Sequence, residues 1–279
     1  MKRLVSVQDI SCVGKCSLTV ALPLISAMGV ECAVLPTAVL STHTAFDNFC
    51  VRDLTGDINN IMDVWQKEKI SFDCIYTGYL AGEKQTCLVE RLFEENKNSF
   101  RFTDPVMGDF GRLYSGFDGG FAQCMRKLCG RSDLIVPNIT EACILTGIPY
   151  TEAPGRDAVR EILKRLCQGT AETGSPIRAA VTGICYQSGI GVMMYDSAAG
   201  SFFEYYGEKI NVDFPLHGTG DVFASVCAGA ICRGSDPETA LALGVDITSE
   251  AVRLTADDSE RRWYGIDFER VIPSLISRL

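Results

Sequence analysis

Short apolar runs recur along the chain, and between them the apolar spacing changes to that of helices. Leu4 to Gln8, Cys74 to Thr77, Phe100 to Thr103 and Leu134 to Val136 are compact apolar runs bounded by turn residues. Such runs predict strands buried on both faces. Ala33 to Leu35 predicts a further strand, followed by Thr37 to Leu40. Ala179 to Thr182, Gly191 to Tyr195 and Phe202 to Tyr206 predict three more. Helical spacing occupies Ser17 to Met28, Ile58 to Lys69, Glu83 to Glu95, Phe117 to Cys129 and Arg156 to Cys167. It returns after Gly220, from Pro237 to Leu254 and from Phe268 to Ile276. Ile58, Ile61, Met62 and Trp65 form one apolar face of the second helix, and Gly29 ends the first. Pro137 to Glu141 opens another helix.

Strands alternating with helices predict an α/β fold, a mostly parallel sheet covered by helices on both faces. No linker, composition shift or repeat divides the chain, so residues 1–279 read as a single domain. In open α/β sheets the ligand lies beyond the carboxyl ends of the strands. The loops that matter are then those at Asp9, Ser41, Gly78, Asp104, Asn138, Gly183 and Gly218. Asp9, Ser11 and Gly14 mark the first of them.

Composition narrows the function classes. Apolar residues make up 47% of the 279, enough for a full core. A net charge of -9 argues against a nucleic-acid or anionic-membrane surface. The thirteen cysteines are odd in number and form no CxxC pair. Several, such as Cys32, Cys74, Cys143 and Cys227, stand in apolar surroundings, which reads as free thiols in a reducing cytoplasm. Cys12 and Cys16 lack a neighbouring His to complete a zinc set. The longest apolar stretch, Ala21 to Leu40, contains Pro23, Glu31 and Pro36 and reads as a helix and a strand, not a membrane span. No signal peptide precedes the first strand.

The chemistry concentrates in Pro215 to Gly229, PLHGTGDVFASVCAG. Gly218-Thr219-Gly220-Asp221 is a glycine loop opening a helix. Glycines let backbone N–H groups turn toward a ligand, and the first helical turn has unpaired N–H groups and partial positive charge. Together they form an anion hole. Asp221 would oppose a bound anion unless it takes a proton from a hydroxyl that attacks phosphorus. The plainer reading is a helix cap, and on this loop alone both stay open.

Further carboxylates follow other strands: Asp104, Glu141 and, as a fourth, Asp9. A buried cluster of acids must bind cations or protonate. A hard cation such as Mg²⁺ takes oxygen ligands. Asp104 before Pro105 could also be a turn residue, and Asn138-x-x-Glu141 is close to a capping box. Asp109-Phe110-Gly111 spells the DFG of protein kinases, but no His-Arg-Asp loop accompanies it. Gly14-Lys15 hints at a P-loop, but Asp9 stands where that motif needs glycine.

DPVMGDFGRLY (Asp104 to Tyr114), PNITEA (Pro137 to Ala142) and HGTGD (His217 to Asp221), in this order, resemble the ribokinase superfamily. STHT (Ser41 to Thr44) and TGYLAG (Thr77 to Gly82) are similar to substrate-side segments of its pyridoxal kinase branch. The likeness runs from about Leu4 to Arg253, though hydroxymethylpyrimidine kinases share part of it. The resemblance implies ATP-dependent phosphorylation of the hydroxymethyl group of a vitamin B6 vitamer, with Mg²⁺, in a homodimer. It implies Asp221 as base, with Gly218, Thr219 and Gly220 as the anion hole. It implies that Asp104 and Glu141, with Asn138, organise metal and nucleotide phosphates, and that Asp9, Thr44 and Tyr79 bind the ring. Two positions depart from the branch. Asp9 replaces a Ser that follows the matching Gln, and Thr182 replaces a Lys, with Lys209 a possible substitute for the missing cation. A carboxylate at Asp9 would favour the protonated aminomethyl group of pyridoxamine if it faces that group. Hydroxymethylpyrimidine kinase is the nearest alternative. A sugar kinase and a catalytically silent nucleotide-binding regulator are others; an intact Asp221 argues against the last.

Overall fold

The computed structural model describes residues 1–169, 173–186 and 189–279. Its strands, in chain order, are β1 (Arg3–Val13), β2 (Glu31–Thr42), β3 (Val51–Asp53), β4 (Cys74–Thr77), β5 (Phe100–Thr103) and β6 (Gly108–Asp109). They continue with β7 (Arg112–Leu113), β8 (Leu134–Ile135), β9 (Arg178–Tyr186), β10 (Gly189–Asp196) and β11 (Ser201–Glu208). The helices are α1 (Leu18–Ala27), α2 (Thr55–Lys67), α3 (Glu83–Glu95), α4 (Gly119–Cys129), α5 (Ile139–Thr146) and α6 (Arg156–Leu166). After β11 come α7 (Thr219–Arg233), α8 (Pro237–Ala256), a 3₁₀ turn at Phe268–Val271 and α9 (Ile272–Ser277).

One sheet of nine strands runs in the order β11-β10-β9-β8-β5-β4-β1-β2-β3. The stretch from β9 to β2 is parallel throughout. β10 pairs antiparallel with β9 and β11, and β3 with β2, so β11 and β3 are the two edges. Successive residues of β1 point to opposite faces and both faces are buried, so the strand reads as one apolar run. Leu4 enters a core with α1, α7 and α8, through residues such as Leu24, Val226 and Leu241. Val5 and Val7 enter a second core with α2 to α6, through Ile58, Phe93, Met125, Ala142 and Ile162. The chain passes from β1 to β2 on one side, and β4 then pairs with β1 on the other. The gap between the tips of β1 and β4 is therefore a topological switch point, where ligands of such sheets bind.

Three features differ from the sequence reading. β1 does not end at Asp9 but runs on to Val13, pairing Ile10 with Val39, Ser11 with Leu40 and Val13 with Thr42. Its register with β2 shifts between Gln8 and Ile10. The polar residues there looked like a loop, yet strand pairing needs only backbone groups. β2 likewise runs through Pro36 unbroken. β3 and the β6–β7 hairpin were missed, because two- and three-residue strands with mostly exposed side chains leave no apolar pattern. All thirteen cysteines are free thiols. Among the described residues no helix is long and apolar enough to cross a membrane.

The two helices that follow the glycine loop approach closely at Gly244 of α8. A Cβ there would stand 2.5 Å from Cys227 Sγ and 3.0 Å from the Phe223 ring. Gly244→Val should destabilise the fold by about 1–3 kcal/mol through overpacking, read from the urea midpoint. Gly56→Ala, with nothing within 4 Å of the added Cβ, should leave the midpoint unchanged or raise it. Equal effects at the two positions would contradict this packing.

Candidate active site

Gly218 adopts φ 84° and ψ 2°, the left-handed conformation that disfavours a Cβ. A side chain here would also strike the carbonyl of Lys15. The turn admits glycine alone, and it starts α7. The first helical bond runs from the Val222 N–H to the Gly218 carbonyl at 3.0 Å. The N–H groups of Thr219, Gly220 and Asp221 have no backbone acceptor among the described residues, and no side chain caps this helix. Gly218, not Asp221, occupies the N-cap position of this helix. Gly220 is exposed, and a Cβ added there would meet nothing within 4 Å, so packing does not demand glycine at this position.

Asp221 is half-buried in this first turn. Burial pushes its carboxyl up to about 7, against the backbone N–H of Ser17, and the charge of Asp9 adds to the rise. Asp104 follows β5, and no hydrogen bond or ion pair reaches its carboxylate among the described residues. Burial holds it well above the usual carboxylate range, with Glu141 and then Asp221 reinforcing that. Glu141 is 3% exposed. Its Oε1 accepts from the Met107 N–H at 3.1 Å and its Oε2 from the Asn138 N–H at 2.9 Å. Asn138 Oδ1 accepts from the Glu141 N–H at 2.9 Å, which completes the capping box. Burial pushes Glu141 up to about 8, against the backbone N–H groups that hold it. Asn138 Nδ2 also donates to the Gly108 carbonyl at 2.9 Å, pinning β6 to the start of α5.

The structure thus brings Asp104 within electrostatic reach of both Glu141 and Asp221. No group of three or more His, Cys, Asp or Glu among the described residues is placed to hold a metal unaided. Thr182 on β9 bridges to Asn138, beside this cluster. Lys209 is exposed just past β11. The antiparallel register of β10 and β11 puts that end beside the carboxyl end of β9, on the same edge as the other loops.

On the other side of the switch point, Asp9 is 5% exposed. Its Oδ1 accepts from Ser17 Oγ at 2.6 Å and its Oδ2 from Ser11 Oγ at 3.1 Å. Ser17 is the N-cap residue of α1. Asp9 therefore does reach that helix, although eight residues separate them. Burial raises its carboxyl against both serines. Tyr79 follows β4, half-buried, its ring 5.7 Å from that of Phe117. Burial and then Asp9 raise its phenol. Thr44 is exposed beside the buried His43. His43 Nδ1 accepts from the Ala45 N–H at 3.2 Å, which leaves Nε2–H to donate to the Tyr264 carbonyl at 2.8 Å. Its ring lies 5.2 Å from that of His217, the residue before Gly218.

Sequence reasoning missed several parts of this arrangement. Ser11 and Ser17 engage Asp9, and only the Asp-x-Ser spacing hinted at the first. Lys15 pairs with Asp267 at 2.6 Å and Glu269 at 2.9 Å, a tie across the chain that no local pattern signals. Asp109-Phe110-Gly111 forms the turn of the β6–β7 hairpin, with Phe110 81% exposed at φ 50°. The Gly111 N–H donates to Thr140 Oγ1 at 2.9 Å, which ties that turn to α5.

Comparison with known proteins gives a consistent family. The phosphomethylpyrimidine kinase family matches residues 24–262. The crystal structure of pyridoxal kinase from Lactobacillus plantarum is 31% identical, with TM-score 0.89 over 100% of this chain and 98% of that one. A Bacteroides thetaiotaomicron protein provisionally described as a phosphomethylpyrimidine kinase, solved in a form with pyridoxal, is 32% identical. Its TM-score is 0.88 over 98% of this chain and 95% of that one. Pyridoxal kinase from Leishmania donovani, in complex with ADP and pyridoxamine, shares the fold at 19% identity and TM-score 0.84, over 99% and 96% of the two chains.

The raised carboxyl of Asp221 fixes a pH dependence. An acid whose folded value exceeds its unfolded one stabilises the fold only while protonated. That contribution is full below the ordinary 3.8 and is lost as pH rises through about 7. In buffer free of divalent cations, Asp221→Asn should match wild type near pH 4 and exceed its thermal midpoint increasingly up to pH 7. A difference independent of pH would contradict the burial of this charge.

Proposed function

The chain belongs to the phosphomethylpyrimidine kinase family, in its ribokinase-like pyridoxal kinase branch, and from that premise we propose that it uses ATP to phosphorylate the hydroxymethyl group of a vitamin B6 vitamer. Residues 1–279 act in this reading as one kinase domain, in a homodimer. The observation that carries it is Asp221, standing in a first helical turn whose N–H groups have no backbone acceptor among the described residues, with its carboxyl near 7. Phosphoryl transfer asks for alignment, neutralised charge and a group to accept the hydroxyl proton. A base with a value near the working pH suits the last task. Asp221 takes the proton from the acceptor hydroxyl. The N–H groups of Thr219, Gly220 and Asp221, freed by the Gly218 turn, receive charge on the transferred phosphoryl group.

The donor set fits a hard cation. Asp104 offers a partnerless carboxylate, and burial has raised both it and Glu141, a cost that a nearby cation would relieve. Asp104 would hold Mg²⁺ directly. Glu141, with both oxygens taken by backbone N–H groups, would act through water. The ion, when bound, neutralises phosphate charge. Asn138, Thr182, Thr219 and Lys209 lie on the nucleotide side. Asp9, Thr44 and Tyr79 lie on the ring side of the switch point, and the relative solved in a crystal form with pyridoxal supports a pyridine ring as the acceptor.

The family match favours a second reading, transfer to the hydroxymethyl group of a pyrimidine. An ADP-release assay with pyridoxal, pyridoxamine, pyridoxine and hydroxymethylpyrimidine separates the two. The vitamers should give the higher kcat/KM; turnover with the pyrimidine alone would replace this reading with the second. The same panel tests Asp9. A charge-assisted hydrogen bond of about 1.5–3 kcal/mol to the aminomethyl group favours pyridoxamine, so Asp9→Ser should lower the pyridoxamine-to-pyridoxal ratio about tenfold. An unchanged ratio would mean that Asp9 does not read the aminomethyl group.

A further inference from the structure

Three consecutive residues near the end of the chain, Gly265, Ile266 and Asp267, hold two points that flank the Gly218 turn. Lys15 is the first point, in the loop between β1 and α1. Its Nζ donates to Asp267 Oδ1 at 2.6 Å and to Glu269 Oε2 at 2.9 Å. The Lys15 and Asp267 side chains are 14% and 9% exposed, so this pair is mostly buried. Gly265 lies against the stem of Lys15, and a Cβ there would strike the Lys15 Cβ. His217 is the second point, and its carbonyl accepts from the Ile266 N–H at 3.1 Å. Gly218 follows His217 and abuts the Lys15 carbonyl, with no room for a side chain between them. The Asp267 N–H donates to Thr255 Oγ1 at 2.7 Å, and Thr255 Oγ1 donates to the Ala251 carbonyl at 2.7 Å, which anchors the segment to α8.

Stability is a poor reason for this pair. Taking two charges out of water offsets most of their attraction, and an apolar pair of similar volume is often as stable. The loop that carries Lys15 also needs support from outside itself. Gly14 has φ 142° and Ser17, which bears a side chain, has φ 51°. Backbone of this kind persists where the surroundings over-determine it, and it clusters at functional sites. Within the loop, Thr19 Oγ1 donates to the Gly14 and Cys16 carbonyls at 3.1 and 2.7 Å. Lys15, between those two residues, is tied by its side chain to the C-terminal segment.

We propose that Lys15 is a positioning residue for phosphoryl transfer. The clamp of Gly265 to Asp267, acting through Lys15 and His217, sets the Gly218 turn and with it the N–H groups of Thr219 to Asp221 and the Asp221 carboxylate. Donors of this kind work only where charge develops, and a misplacement of about 1 Å lowers the rate about a hundredfold. Lys15, its ammonium taken up by two carboxylates, contacts no substrate in this role. The effect on rate rests on the kinase reading above; the clamp itself does not.

Steady-state kinetics with ATP and the best acceptor, read well below each variant's thermal midpoint, test the role. Lys15→Met should lower kcat about ten- to a hundredfold with the KM for ATP nearly unchanged. It should also lower the midpoint, because it strands the buried Asp267. Lys15→Met combined with Asp267→Leu removes both charges and should regain the midpoint but not kcat. Gly265→Ala, which changes no charge, should lower kcat in the same direction. Lys2→Met breaks an exposed pair with Asp73 at the other end of β1 and should leave kcat unchanged. Recovery of kcat together with the midpoint in the double variant would make the pair merely structural and overturn the proposal. Amide exchange reads the clamp without turnover. The Val222 and Ile266 N–H groups, bonded to the carbonyls of Gly218 and His217, should exchange faster in the double variant than in wild type. Faster exchange in a protein that phosphorylates none of the acceptors would leave the clamp standing and remove the kinase reading instead. Unchanged exchange would overturn the clamp.

Discussion

Asp104, Glu141 and Asp221 share a largely buried floor, and no cation of the described residues pairs with any of them. Burial raises all three carboxyls above their ordinary values. Like charges held together out of water destabilise a fold unless something neutralises them. Here neutralisation comes from protonation or from a bound cation. The first turn of α7, whose N–H groups have no backbone acceptor among the described residues, would favour negative charge beside the acids. A phosphate with its cation satisfies both at once. The free protein is therefore less stable than it could be, which is a common condition of catalytic sites.

The arrangement depends on ties between distant parts of the chain. The Gly218 turn presses on the Lys15 backbone, and the Lys15 side chain is held by Asp267 and Glu269. His43 carries the loop of Thr44 to the carbonyl of Tyr264, and the Ile266 N–H bonds the carbonyl of His217. Residues from the beginning and the last quarter of the chain thus fix one turn. Asp9 links the middle of β1 to the N-cap of α1 through Ser17.

Most of the sheet was legible because buried parallel strands write themselves as apolar runs. Cys74–Thr77 and Phe100–Thr103 match their predicted limits for that reason. The continuation of β1 past Asp9 was not legible, since its polar residues pair through backbone groups alone. The glycine loop was legible from Gly218 to Asp221, because a left-handed turn with a close approach admits glycine only. The capping box at Asn138 and Glu141 was also legible, and it is complete. What stayed hidden was long-range: the serines on Asp9 and the Lys15 tie. Each depends on which strand lies beside which, and that order is absent from any single stretch of sequence.

The account rests on Asp221 as a base rather than a structural carboxylate. Asp221→Asn keeps the shape of the side chain and most of its hydrogen bonding but cannot accept a proton. Single-turnover rates with ATP and the best vitamer, together with nucleotide affinity, measure its role directly. The account predicts a loss of about 10²–10⁴ in the rate of phosphoryl transfer, with nucleotide affinity nearly unchanged. A variant that retains near-normal turnover would contradict it.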